Sequence, residues 1–173
     1  MTRLALFALF IFAATAAQAE DINWQDAVAR LAAERTRAET CASLLKQFGD
    51  EAQVAQGQIA YSDAKGEMDA VIAGLVVALA EDQRPESLTD LEGHLRRGVE
   101  RREAFCANVT ALVPNTSGER SAIVDLVSST IGPLIEAVTE IYLDWRNSDR
   151  ITRATIQTQL EATKWPAFDA IQP

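Results

Sequence analysis

Four arginines crowd into the stretch Arg96-Arg97-Gly98-Val99-Glu100-Arg101-Arg102-Glu103-Ala104-Phe105-Cys106, within a chain that carries 25 acidic against 16 basic side chains. Guanidinium groups hold carboxylates and phosphates through paired N–H donors, so such a run can bind an anion or an acidic partner. It ends on Cys106, and Cys41 is the other of the chain's two cysteines. Two cysteines in an exported chain imply one disulfide, Cys41–Cys106. In the chain-entropy model a loop of that size contributes about 4 kcal/mol.

Other chemistries are narrowed by what the chain carries. It has one histidine, His94, which excludes His-rich metal sites and disfavours a bis-histidine haem. The runs C-x-x-C, H-E-x-x-H, G-x-S-x-G and G-x-x-x-x-G-K-[ST] are absent. No metal and no cofactor is expected, and His94 is expected on the exposed side of its helix. Glu136, Glu140 and Asp144 recur every four residues off the apolar positions of their helix and read as a solvated face. Asp63, Glu67 and Asp69, interleaved with Lys65, read as surface charge pairs.

The elements that must position these groups are helical almost throughout. The chain opens with one arginine, an apolar run Leu4–Ala14 and Ala17-Gln18-Ala19, the three parts of a secretory signal. The apolar run is shorter than the roughly 20 residues needed to span a bilayer. Cleavage after Ala19 is expected, leaving 20–173 as a single domain in the periplasm or outside the cell, with no membrane span. Loss of Arg3 takes the charge balance to −10, which repels nucleic acid and anionic lipid.

In the remaining 154 residues, Asn23 caps a first helix whose apolar positions are Trp24, Val28, Leu31, Ala38, Cys41, Leu45 and Phe48. Gly49 stops it, and Asp50 with Gln53 forms a capping box for a second helix over about 51–80. That helix has the seam Val54, Tyr61, Met68 and Leu75, and its Gly57, Gly66 and Gly74 favour close approach of a neighbour. A loop follows at 81–86. Ser87 or Thr89 then opens a third helix with Leu88, Leu91, Leu95, Gly98, Arg102, Phe105, Val109 and Leu112 on its seam. "PNTSG" turns the chain, and Thr116 with Glu119 opens a fourth helix carrying Val124, Val127, Ile131, Leu134, Val138, Ile141 and Trp145, with a kink expected at Pro133. After Asn147-Ser148-Asp149 comes a short fifth helix, about 150–164. The tail's Trp165, Phe168 and Ile171 are expected to dock on the bundle. The fold class is all-α: four long helices in an up-down-up-down bundle plus a short C-terminal fifth helix.

Two charged residues fall on apolar seams. Sevenfold steps through Cys41 place Glu34 on the first helix's seam, and those through Leu95 place Arg102 on the third's. With the cysteines level and the two helices parallel, Glu34 lies about 10 Å and Arg102 about 6 Å below the disulfide. Long side chains bridge that gap, so a partly buried Glu34–Arg102 pair is expected. The same alignment brings Arg30, Arg35 and Arg37 beside Arg96, Arg97 and Arg101 as a candidate face for an anion or a protein partner. The reading is therefore a binding or interaction module for a protein or anionic small molecule. Three alternatives stand beside it. One is a carrier of an apolar ligand between helices two and four, along Gly57, Gly74 and Pro133. Another is a non-metal enzyme with Glu34, Arg102, Tyr61 and Lys65 in one pocket. The third is a self-associating protein with an apolar stripe on helix four or five.

Overall fold

Asp50 decides where one helix stops and the next begins. Its Oδ1 accepts from the Gln53 N–H at 2.8 Å, and the Gln53 side chain accepts from the Asp50 N–H at 2.8 Å. This closed capping box satisfies two otherwise orphaned donors and leaves only Gly49-Asp50 between α1 (Trp24–Phe48) and α2 (Glu51–Leu79). Ser87 similarly starts α3 (Leu88–Thr110), its Oγ accepting from the Asp90 N–H at 3.2 Å. Then come α4 (Ile131–Asp144) and α5 (Arg150–Ala162), the latter capped by Asp149 on the Thr152 N–H at 2.8 Å. A single 3₁₀ turn, Phe168–Ala170, lies in the tail.

The computed structural model describes residues 24–80, 87–114, 131–144 and 149–173. The leader at 1–19, the Asn23 cap, the loop at 81–86 and the turn after Pro114 lie outside them. So do Thr116, Glu119, Val124, Val127 and Trp145, and the turn before Pro133 that a kink would bend. The fold is all-α, with no strand among the described residues.

Cross-helix contacts give the directions. Descending α2 through Gly74, Met68 and Gly57 meets Leu91, Gly98 and Phe105 in ascending order on α3, so α2 and α3 are antiparallel. Glu34 meets Arg102 and Cys41 meets Cys106, so α1 and α3 run parallel. α4 packs on α1 and α3, and α5 packs mainly on α2. The core holds Leu31, Leu45, Tyr61, Met68, Leu75, Leu91, Leu95 and Phe105, joined by Leu134, Val138 and Ile141 of α4.

Two of the three α2 glycines sit where leucines press in. A Cβ at Gly57 would stand 2.1 Å from Leu45 Cδ2, and one at Gly74 would stand 2.3 Å from Leu91 Cδ2. Leucines occupy the space at both glycines, which leaves no continuous channel running along Gly57 and Gly74 as the carrier alternative needs. Gly66 has no neighbour within 4 Å of such a Cβ.

Phe48 departs from the expected seam and is 38% exposed. A straight helix drifts about 20° per seven residues, so a position several heptads along has rotated off the core face. α5 ends two residues earlier than expected, because the Thr163 hydroxyl returns to the Leu160 carbonyl at 2.7 Å and closes the last turn. The tail docks as its apolar residues require. Trp165 and Phe168 each pack 5.6 Å from the Tyr61 ring, and the Tyr61 hydroxyl donates to the Pro166 carbonyl at 3.0 Å. Lys46 Nζ donates to the carbonyls of Phe168 (2.8 Å) and Ile171 (2.6 Å).

Helix propensity and packing oppose each other at these glycines. Gly66→Ala removes backbone freedom without a steric cost and should stabilise by about 0.5–1 kcal/mol, raising the thermal midpoint by about 1–4 °C. Gly74→Val drives a branched side chain into Leu91 and should destabilise by about 1–3 kcal/mol. Thermal and urea unfolding of the two variants measures both signs.

Candidate functional site

Three features lie in order along the parallel α1 and α3: a buried ion pair, a disulfide and an open hollow. Arg102 Nε donates to Glu34 Oε2 at 3.1 Å, and Arg102 Nη2 stands 3.0 Å from the same oxygen. Both side chains are closed off from solvent, Arg102 at 0% and Glu34 at 1% exposure. Arg37, one turn along α1, donates to the other Glu34 oxygen, and Glu103 Oε1 lies 3.6 Å from Arg102 Nη2. Two guanidinium groups thus face two carboxylates. Burial draws the Arg102 guanidinium below its ordinary value, while Glu34 and Glu103 act to raise it. It stays protonated, because an arginine starts far above neutral pH.

One turn further, the Cys41–Cys106 disulfide joins α1 to α3 with the two Cα atoms 5.4 Å apart. Ala38 and Ala42 beside Cys41 are fully buried, which lets the two helices approach to that distance.

The arginines do not gather on one face, contrary to the expected alignment. Arg37 and Arg102 turn inward on Glu34. Arg35 bonds Glu39 Oε1 one turn along α1 and reaches the Ala162 carbonyl at the end of α5, each at 2.5 Å. Arg97 and Arg101 turn toward α2 instead of α1. Arg97 Nε donates to Glu67 Oε1 at 3.1 Å, Arg101 Nη1 lies 3.2 Å from the same oxygen, and His94 Nδ1 lies 2.7 Å from Oε2. Arg30 and Arg96 are exposed. The reason is rotational: positions 94, 97 and 101 share one side of α3, and α2 occupies that side.

His94 is therefore half-buried in a charged cluster, where an exposed position was expected. Glu67 is likewise more than a surface charge, its side chain only 12% exposed. Burial pushes the Glu67 carboxyl up, but hydrogen bonds from Arg97 and His94 and the charges of Arg97 and Arg101 outweigh it. The net effect is a carboxyl below the ordinary carboxylate range. The spacing 94, 97, 101 was visible in the sequence; the α2 residue opposite it was not.

The residues of the enzyme alternative stay apart. Glu34 and Arg102 lie between α1 and α3, Tyr61 bonds the tail, and Lys65 pairs with Asp69 one turn along α2. Burial, helped by the Glu39 charge, holds the Tyr61 hydroxyl well above its ordinary value, so it serves as a donor. Among the described residues no group of three His, Cys, Asp or Glu side chains could hold a metal ion. Among the described residues, the exposed large apolar side chains of these two helices are Leu143 on α4 and Ile151 on α5, while α5 turns Ile156 and Leu160 inward.

One turn past the disulfide, α1, α2 and α3 enclose a half-open hollow of about 290 Å³. Leu45, Gly57 and Ala60 line it from α1 and α2, Phe105 and Val109 from α3, and Leu112 from the turn after α3. The carboxamides of Gln53, Gln56 and Asn108 complete it. No lining residue carries a charge.

Removing one partner of the buried pair strands the other charge. Glu34→Gln and Arg102→Met should each cost about 3–5 kcal/mol, and the double variant should lose less than their sum, by on the order of 2 kcal/mol. Urea unfolding of the four proteins measures that coupling. The lowered Glu67 carboxyl contributes stability that is full above the ordinary carboxylate range and is lost as pH falls through its folded value. The stability gap between the unmodified chain and Glu67→Gln should therefore narrow as pH falls below about pH 4. Unfolding curves at stepped pH test the sign.

Compared with protein-family models, curated proteins and solved structures, the chain matches none, so a functional reading rests on its own geometry.

Proposed function

We propose that the protein is an exported, non-catalytic binding module of the periplasm or cell exterior. The leader Met1–Ala19 has the composition of a cleaved secretory signal. An intramolecular disulfide suits an oxidising compartment. Among the described residues no helix is long and apolar enough to cross a membrane. The observation that carries binding over catalysis is how the enclosed charges are used. Glu34, Arg102 and Glu67 are each held by opposite charges of the same chain, while the hollow beside the disulfide is open and uncharged. A rigid frame thus presents a concavity whose walls offer shape and hydrogen bonds in place of an acid, base or nucleophile.

A second reading, an acidic protein or anionic small molecule as partner, draws on Arg96, Arg97 and Arg101. The side chains of Arg97 and Arg101 remain 47% and 45% exposed while bonded to Glu67. Contacts of that kind weaken steeply with salt, which separates the two readings.

Cell fractionation followed by N-terminal sequencing should find the protein outside the cytoplasm beginning at Glu20. Native mass spectrometry of that material should show a non-covalent adduct that survives moderate salt. Retention of Met1 in cytoplasmic protein would remove export, and an adduct-free chain would remove binding.

A further inference from the structure

We infer that the hollow between α1, α2 and α3 is a binding site for an uncharged small molecule with an apolar body and an amide-like polar head. The inference rests on the reading of the protein as a binding module and names the ligand class of that site. Size sets the first limit. About 290 Å³ equals the volume of about ten liquid water molecules. That is the lower end of the range for small-molecule pockets, so the body that fits has on the order of ten non-hydrogen atoms.

Chemistry sets the second limit. The Phe105 ring with Leu45, Val109 and Leu112 offers an apolar wall, and Ala60 and Gly57 keep the α2 side low. A Cβ at Gly57 would stand 3.4 Å from Phe105 Cε2 and 2.1 Å from Leu45 Cδ2, so a larger residue there would crowd the floor. An ion entering this wall would lose its hydration with no opposite charge lining the site to replace it. The mature chain's charge balance of −10 (15 basic against 25 acidic side chains once Arg3 is removed) adds a repulsive field against anions.

The polar edge sets the third. Gln53 is committed to the Asp50 cap. Gln56 and Asn108 are exposed at the hollow, one on α2 and the other on α3. Each carboxamide offers both a donor and an acceptor. An amide head matches that pair in kind, and a purely apolar molecule would leave it unused.

The frame favours a preformed site. Leu45 lies one turn beyond Cys41 and Val109 one turn beyond Cys106, so the disulfide ties together the two helices that carry opposite walls. A preorganised wall lowers the ordering cost of binding.

The test uses the full mature chain with acetanilide, a benzene ring bearing an amide, and benzoate as its charged counterpart. In ¹H–¹⁵N spectra, acetanilide should shift the backbone amides of Gly57, Ala60 and Val109 saturably, and benzoate should bind at least tenfold more weakly. Asn108→Leu, at an exposed helix position, should weaken acetanilide about fivefold to tenfold while thermal unfolding stays within a few degrees. Ala60→Phe should fill the hollow and abolish the shifts, with the remaining spectrum reporting that the fold is kept. No saturable shift at these amides, equal binding of benzoate, or binding unchanged in Asn108→Leu would each overturn the proposal. An adduct found by native mass spectrometry together with silent hollow amides would overturn this site and leave the binding module standing; absence of both would remove the two readings together.

Discussion

A carboxylate and a guanidinium buried between two parallel helices govern how the molecule is put together. Taking Glu34 and Arg102 out of water costs several kcal/mol for each ion, and the attraction between them offsets this only while their geometry holds. Arg37 and Glu103, both half-buried, bring one further charge of each sign to the edge of the pair. A slip of α3 along α1 by one residue would rotate Arg102 away from Glu34 and strand both charges. The pair thereby specifies one register, and the neighbouring disulfide holds the same register covalently.

That register has consequences at both ends of the seam. Toward the chain's start, Arg102 is withdrawn from the surface and Arg37 is drawn half-buried onto the same carboxylate. On the far side of α3, Glu67 engages Arg97, Arg101 and His94 across α2. The arginine-rich stretch therefore binds the chain's own carboxylates at two separate places, while Arg96, Arg97 and Arg101 keep part of their surface in solvent. Toward the C-terminal ends of α1 and α3, Lys46 turns to the tail carbonyls and away from the seam. Leu45, Phe105 and Val109 line the hollow there with no charged side chain on its walls, which makes it a place of low charge in an acidic protein.

Close packing on α2 ties these parts together. Leu45 enters beside Gly57, Leu91 beside Gly74 and Met68 beside Gly98, each a large side chain set against a residue without Cβ. The pairing fills what would otherwise be channels between helices. It also fixes α2 against both of its neighbours, so the Glu67 cluster and the hollow wall are positioned by the same helix. Tyr61 sits at the centre of an aromatic group formed with Phe105, Trp165 and Phe168, and it fastens the tail to the core.

Local chemistry was readable from the residues themselves. The Asp50–Gln53 box, the Ser87 cap, the helical periodicity and the placement of Glu34 and Arg102 on apolar seams all follow from spacings within one helix, where 1.5 Å and 100° per residue leave little freedom. A tight Gly49-Asp50 connection and two cysteines sufficed to align α1 with α3. What the sequence could not determine is the rotation of each helix about its own axis relative to its neighbours. That angle sent Arg97 and Arg101 toward Glu67 instead of Arg30, turned Phe48 outward, filled the glycine channel with leucines and opened the hollow. Such rotations come from how all the side chains of several helices pack at once, so they appear only in the tertiary structure.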